Sequence, residues 1–167
     1  MRFFPFVILL LGACLALVPP AWGASSLFDQ QRYMEPGARL GDAEEMLRQW
    51  LGEHPEDGEA RFLMARVLFW QGKHDGALAE YARLLAMEPD NGDYLLGRAL
   101  ALMRSGRARA ALLPLEKARH LNPDSEETWR RHIEALWAAG GKQRQGQARM
   151  LEDEAKRRFP HRDGDSL

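Results

Sequence analysis

The sequence predicts an all-α fold, built as a solenoid of stacked helical hairpins. Two observations predict it. Ala65, Gly72, Ala77 and Pro89 recur as Ala99, Gly106, Ala111 and Pro123, each 34 positions on. A fixed period in that range marks stacked supersecondary units that bury a continuous core between them. Apolar residues between the punctuating glycines and prolines fall three and four apart, the spacing of one helix face. The residue types account for the pattern. Glycine supplies the left-handed backbone of a tight helical turn, alanine lets two helices approach, and proline ends the second helix because it lacks an N–H and clashes with the preceding turn.

The chain in order begins with Arg2, runs uncharged and mostly apolar from Phe3 to Val18, breaks at Pro19-Pro20 and reaches small residues at Ala21, Gly23 and Ala24. Residues 1–24 therefore read as a secretory signal peptide, cut after Gly23 or Ala24. Two membrane-bound states stay open. Leu11-Gly12-Ala13-Cys14 is similar to a bacterial lipobox, with Cys14 lipidated. Phe3 to Trp22 is near the roughly 20 residues an uncleaved anchor needs. All three place the rest of the chain outside, and the bacterial periplasm is the expected location. Any membrane association runs through this N-terminus.

Residues 25–56 read as a degraded first repeat: a short helix within Ser25–Glu35, then a helix over Asp42–Glu53 with Ala43, Met46, Leu47 and Trp50 on one stripe. Residues 57–90 form the second repeat, with Asp57 as N-cap and Asp75 capping the partner helix after the Gly72 turn. Residues 91–124 form the third, with helices over Asp93–Arg104 and Ala108–His120. Pro114 falls inside the latter. An interior proline costs about 3 kcal/mol unless the helix gives way, so a bend or a delayed start is expected. Residues 125–160 are a degraded fourth repeat and cap. Asp124 with Glu127 approximates a capping box, and the helix runs to about Ala139. A three-residue insertion is placed in the turn at Gly141–Gln147. The last helix, Gln145–Phe159, sets Ala148, Leu151, Ala155 and Phe159 against a wet side of Arg149, Glu152, Asp153, Lys156 and Arg157. Residues 161–167 read as a disordered tail.

These residues resemble the tetratricopeptide repeat, a helix–turn–helix of 34 residues. The resemblance spans roughly residues 25–160, with two clear repeats and two degraded ones. It implies a right-handed α-solenoid of about four repeats, whose concave face, lined by the first helix of each repeat, binds a protein or peptide segment. Family members that clamp a carboxyl terminus use Asn and Lys on that face. Here the corresponding positions hold Phe62, Arg66, Leu96, Leu100, Arg130 and Glu134, so such a clamp is not expected.

Composition narrows the function classes. The chain has 23 basic and 24 acidic residues, and without residues 1–24 it has 22 and 24, a net charge of −2. That is no nucleic-acid footprint. Cys14 is the only cysteine, so a processed chain holds no thiol and no cysteine metal site. His54, His74, His120, His132 and His161 have no metal-ligand spacing. No phosphate loop, nucleophile elbow or plausible carboxylate pair appears. Glu44-Glu45 and Glu126-Glu127 sit at helix starts, where they complement the dipole. Neither enzyme activity nor a cofactor is expected.

Phe62 to Trp70 is apolar but for Arg66. By the resemblance, Phe62, Arg66 and Phe69 line the groove. Leu96, Leu100 and Met103 hold the matching places one repeat on, and Arg130, Glu134 and Trp137 those of the repeat after. Arg66, Arg104 and Arg130 would hold acidic or carbonyl groups of the partner. The competing reading is that Phe62 and Phe69 pack on the preceding repeat, with Trp70 as packing next to the turn. Three roles follow: a non-catalytic adaptor in the cell envelope; a cofactor-maturation subunit such as a haem handler, for which Met103 and His132 are the candidate ligands; or an adaptor working through its outer face. Phe69-Trp70-Gln71-Gly72 is similar to periplasmic repeat arms of exopolysaccharide-export and outer-membrane assembly proteins. A homodimer through Phe62–Trp70 also fits.

Overall fold

The computed structural model describes residues 40–160. The signal or anchor segment, the short helix within 25–35 and the tail at 161–167 lie outside the described residues. Seven helices follow one another: α1 (Leu40–Glu53), α2 (Gly58–Trp70), α3 (His74–Met87), α4 (Gly92–Arg104), α5 (Ala108–Leu121), α6 (Glu126–Ala139) and α7 (Lys142–Arg158). No strand occurs among the described residues. The starts of α2, α4 and α6 are 34 residues apart, as are those of α3, α5 and α7.

The turns show why the period is kept. Gly72 and Gly106 both have φ of 76° and Gly140 has 69°, a region a Cβ disfavours. At the first, Gly72 N–H bonds to Phe69 O at 3.0 Å and Lys73 N–H to Leu68 O at 2.9 Å. The new helix therefore starts two residues after the glycine. This is too early for Asp75 to be a cap. Lys73 holds the N-cap position without a side-chain capping bond, and Asp75 lies in the first turn, where its charge suits the dipole. Asp57 does cap α2, accepting from Ala60 N at 2.9 Å. Asn91 caps α4, accepting from Asp93 N and Tyr94 N. Ser125 rather than Asp124 caps α6, accepting from Thr128 N at 3.3 Å, and Asp124 pairs instead with Arg158 at 2.7 Å.

Pro114 lies inside α5, yet the helix runs unbroken from Ala108 to Leu121 and its start is not delayed. The three extra residues of the last repeat are not in the turn. α7 begins in phase at Lys142 and is 17 residues long, against 14 for α3 and for α5. Three residues make most of one helical turn, so the helix absorbs them, and its fully buried alanine is Ala148.

Packing follows the repeat. Ala43, Ala77 and Ala111, together with Ala65 and Ala99, are all 0% exposed, and helix meets helix through them. Leu47, Tyr81 and Leu115 recur at the same place in α1, α3 and α5, and all are buried. Met46 departs from its expected stripe and is 49% exposed, since α1 packs only on α2 among the described residues. Glu44 is not merely a dipole partner. It is buried, accepts from Lys73 Nζ at 2.6 Å and pairs with Arg48. The Lys73 bond holds its carboxyl below the usual range. Gln71 Nε2 donates to Leu40 O at 2.8 Å, so the α2–α3 turn is tied to α1 at two points.

Candidate functional site

The first helices α2, α4 and α6 lie side by side, α2 against α4 and α4 against α6. Between them opens a cleft of about 290 Å³. From α2 it receives Phe62, Arg66, Phe69 and Trp70, and from α4 Asp93, Leu96, Gly97 and Leu100. Tyr81 of α3 and Glu127 of α6 complete it. The side chains meet because positions three and four apart share a helix face, which α2 uses twice. Met64, Ala65 and Leu68 point into the core on one side, while Phe62, Arg66 and Phe69 turn to the cleft.

Aromatic contacts set the floor. The Phe62 ring lies 6.2 Å from Tyr81 at 64° and 5.2 Å from Tyr94. The Arg66 guanidinium lies 5.7 Å from the Phe62 centroid, within cation–π range. Phe69 meets Trp70 edge to face at 5.6 Å. Trp70 is 56% exposed, contrary to the expectation that it is packing. It is the last residue of α2, just before the turn. Phe62 and Phe69 are half-buried, packed on the core on one side and lining the cleft on the other.

The cleft unites five expected groove residues, Phe62, Arg66, Phe69, Leu96 and Leu100, and adds Trp70, Tyr81, Asp93, Gly97 and Glu127. The remaining expected residues lie elsewhere. Met103 is half-buried against the core cluster around Ala99 and Leu115. Arg104 is exposed in the last turn of α4. Arg130 and Glu134 pair at 3.5 Å and line a second cleft between α6 and α7. Trp137 donates to Glu152 Oε1 at 2.6 Å. Asp93 and Glu127 belong to the first turns of α4 and α6, a signal the sequence contains but one that dipole complementarity alone explains. The cleft therefore has an apolar floor with a cation on one wall and carboxylates on the other. Among the described residues no group of three His, Cys, Asp or Glu is placed to hold a metal ion. His132 is buried and does not line the cleft.

The tetratricopeptide repeat family model matches residues 38–101, which hold α1 to most of α4. Over those residues the chain is built of tetratricopeptide repeats. No curated protein matches it. Tetratricopeptide repeats generally mediate protein–protein interaction.

Within this tetratricopeptide repeat array, Gly97 answers to Tyr81. A Cβ added at Gly97 would lie 2.4 Å from Tyr81 Cζ and from its hydroxyl oxygen. Burial of that ring pushes the phenol pKa up to about 12. The other repeats show the compensation, with Leu47 sixteen residues before Leu63 and Leu115 sixteen before Arg131. Where the second helix carries leucine, the next first helix carries a large residue. Gly97→Val is expected to cost about 2 kcal/mol through overpacking, and adding Tyr81→Leu should return part of it. Urea midpoints of the two variants check this.

Proposed function

We propose that this protein is a non-catalytic scaffold of the bacterial cell envelope that holds a segment of a partner protein in the α2–α4–α6 cleft. Trp70 carries the reading: a tryptophan more than half exposed beside half-buried Phe69, on an apolar floor walled by Arg66 on one side and Asp93 and Glu127 on the other. Tryptophan is among the residues enriched at interaction hot spots. The segment that fits is apolar at its centre and carries charged residues at its ends. Export is supported by the layout of residues 1–24, and the fitting settings are exopolysaccharide export and outer-membrane assembly.

A photo-reactive residue in place of Trp70 should cross-link a defined partner in intact envelopes, whereas one in place of Met150, on the outer surface of α7, should not. With that partner purified, Trp70→Ala is expected to weaken binding about 30-fold, the roughly 2 kcal/mol of a hot spot. Stability should stay within about 0.5 kcal/mol, because the ring is largely in water. Phe69→Ala with Arg66→Glu should abolish capture. Unchanged affinity in a folded variant would move the site to another face. The mass of the protein isolated from envelopes distinguishes cleavage after Gly23 or Ala24 from lipidated Cys14 and from an intact anchor.

A further inference from the structure

The hairpins give the array two long edges, and the edges differ in charge. The α1–α2, α3–α4 and α5–α6 turns form one. Residues 54–59, 88–93 and 122–127 hold three carboxylates each and no Lys or Arg. Lys117 and Arg158 offset part of this by pairing with Asp90 and Asp124. The α2–α3, α4–α5 and α6–α7 turns form the other edge. Residues 71–76, 105–110 and 139–144 hold Lys73, Arg107, Arg109, Lys142 and Arg144 against Asp75 alone, and Arg104 stands just before the second stretch. These turns adjoin one another. Arg107 pairs with Asp75, and Arg109 Nε donates to Ala139 O at 3.3 Å.

Pairing leaves much of this charge uncompensated. Glu44 takes Lys73 and Asp75 takes Arg107, and Asp42 lies in the first turn of α1, so the α1 end of the edge is not basic. The α4–α5 and α6–α7 turns are. Arg109 and Arg144 bond only to backbone oxygens, and among the described residues Arg104 and Lys142 meet no carboxylate. Helices of 13 and 14 residues, at about 1.5 Å per residue, hold the two edges about 20 Å apart. That is more than twice the Debye length of about 8 Å at physiological salt, so the far carboxylates do not cancel the field at the basic turns.

We infer that this edge rests on a membrane surface rich in anionic phospholipid. Cations spread along two neighbouring turns suit a plane of many charged head groups rather than one bound anion. The course of the chain favours a bilayer over an acidic protein. Gln71 Nε2 bonds Leu40 O at 2.8 Å, so the chain enters α1 on this same edge. Residues 25–39 alone separate it from residues 1–24, and an N-terminus held in the bilayer brings this edge to the head groups. A single acyl chain holds a protein only marginally, and a polybasic patch is a common second attachment. The α2–α4–α6 cleft runs along the helices between the edges, so the contact leaves it open and does not depend on what binds there.

Flotation of the protein as isolated from envelopes tests this, with vesicles of phosphatidylcholine alone and of phosphatidylcholine mixed with phosphatidylglycerol. The ratio of the two partition coefficients cancels whatever the N-terminus contributes. It is expected to favour the anionic vesicles about tenfold or more at low salt and to fall toward unity as salt screens the charges. Arg104→Glu with Lys142→Glu should remove most of the preference. Lys156→Glu with Arg157→Glu makes the same change in net charge at the end of α7, on the acidic edge, and should keep it. All four positions are exposed, and circular dichroism checks that the helices persist. Equal partition of the wild-type chain into both vesicles overturns the inference. So does a preference that survives Arg104→Glu with Lys142→Glu, or one lost equally in both variants. A chain that ignores anionic vesicles yet binds polyglutamate overturns it too, and assigns the edge to an acidic protein segment.

Discussion

Leu115→Ala is expected to remove about 3–5 kcal/mol of stability, the largest single effect in the array. Leu115 is 0% exposed in the middle of α5 and clusters with Ala99, Leu102, Ala111 and Ala135. Three of those four neighbours are alanines, with no rotamers to swing into the gap. The loss includes both the transfer of the lost carbons and whatever part of the void the half-buried Leu78, Leu96, Met103 and Leu112 around the cluster do not fill. A domain of this kind holds about 5–15 kcal/mol in all, so roughly a fifth or more of it rests on one side chain. Leu113, two residues earlier, is 74% exposed, and Leu113→Ala should change stability by less than about 0.5 kcal/mol. Urea melts of the pair are the measurement. Similar midpoints for both would mean that α5 faces its neighbours with a different side.

Acid is expected to weaken the fold by about 3 kcal/mol between pH 6.5 and pH 4 through one imidazole. His132 is 6% exposed and its Nδ1 has no hydrogen-bond partner among the described residues. Burial first, and then the Arg119 guanidinium, push its pKa down to about 4, with His120 adding to the push and Glu116 opposing it. Its unfolded value is about 6.5. Between those values the unfolded chain binds a proton that the folded chain refuses, so stability rises with pH across this window. The full contribution is present above about 6.5 and is lost as the pH falls toward 4. His132→Leu should flatten that part of the curve. Urea midpoints from pH 8 to pH 4 decide it, and a wild-type profile already level over the window would contradict a buried neutral imidazole.

The hairpin phase is legible in the sequence because it rests on backbone requirements. Gly72 and Gly106 need positive φ, and Pro89 and Pro123 follow helices that end at Met87 and Leu121. Such constraints act locally and leave a residue-by-residue trace. The caps are only half legible. Asp124 and Ser125 are adjacent and both suit an N-cap, and what separates them is Arg158, 34 residues away, which takes the aspartate. Glu44 is similar, since its partner Lys73 lies across a helix boundary. At the cleft, Phe62, Arg66, Phe69, Leu96 and Leu100 are found by spacing and resemblance. Trp70 is missed because periodicity assigns a face without saying whether a neighbour reaches it. Arg130 and Glu134 pair with each other and line the α6–α7 cleft instead, which a repeat register does not reveal. A 34-residue repeat carries no information about its own exceptions.

Among the described residues, each helix touches the ones beside it in the chain, with α2 also reaching α4 and α4 reaching α6. Contacts so short in sequence need little loop closure, which favours rapid folding that starts at any hairpin and spreads. Opening should begin at the outer rungs, so amide hydrogens in α3 to α5 should exchange with solvent more slowly than those of α1 and α7.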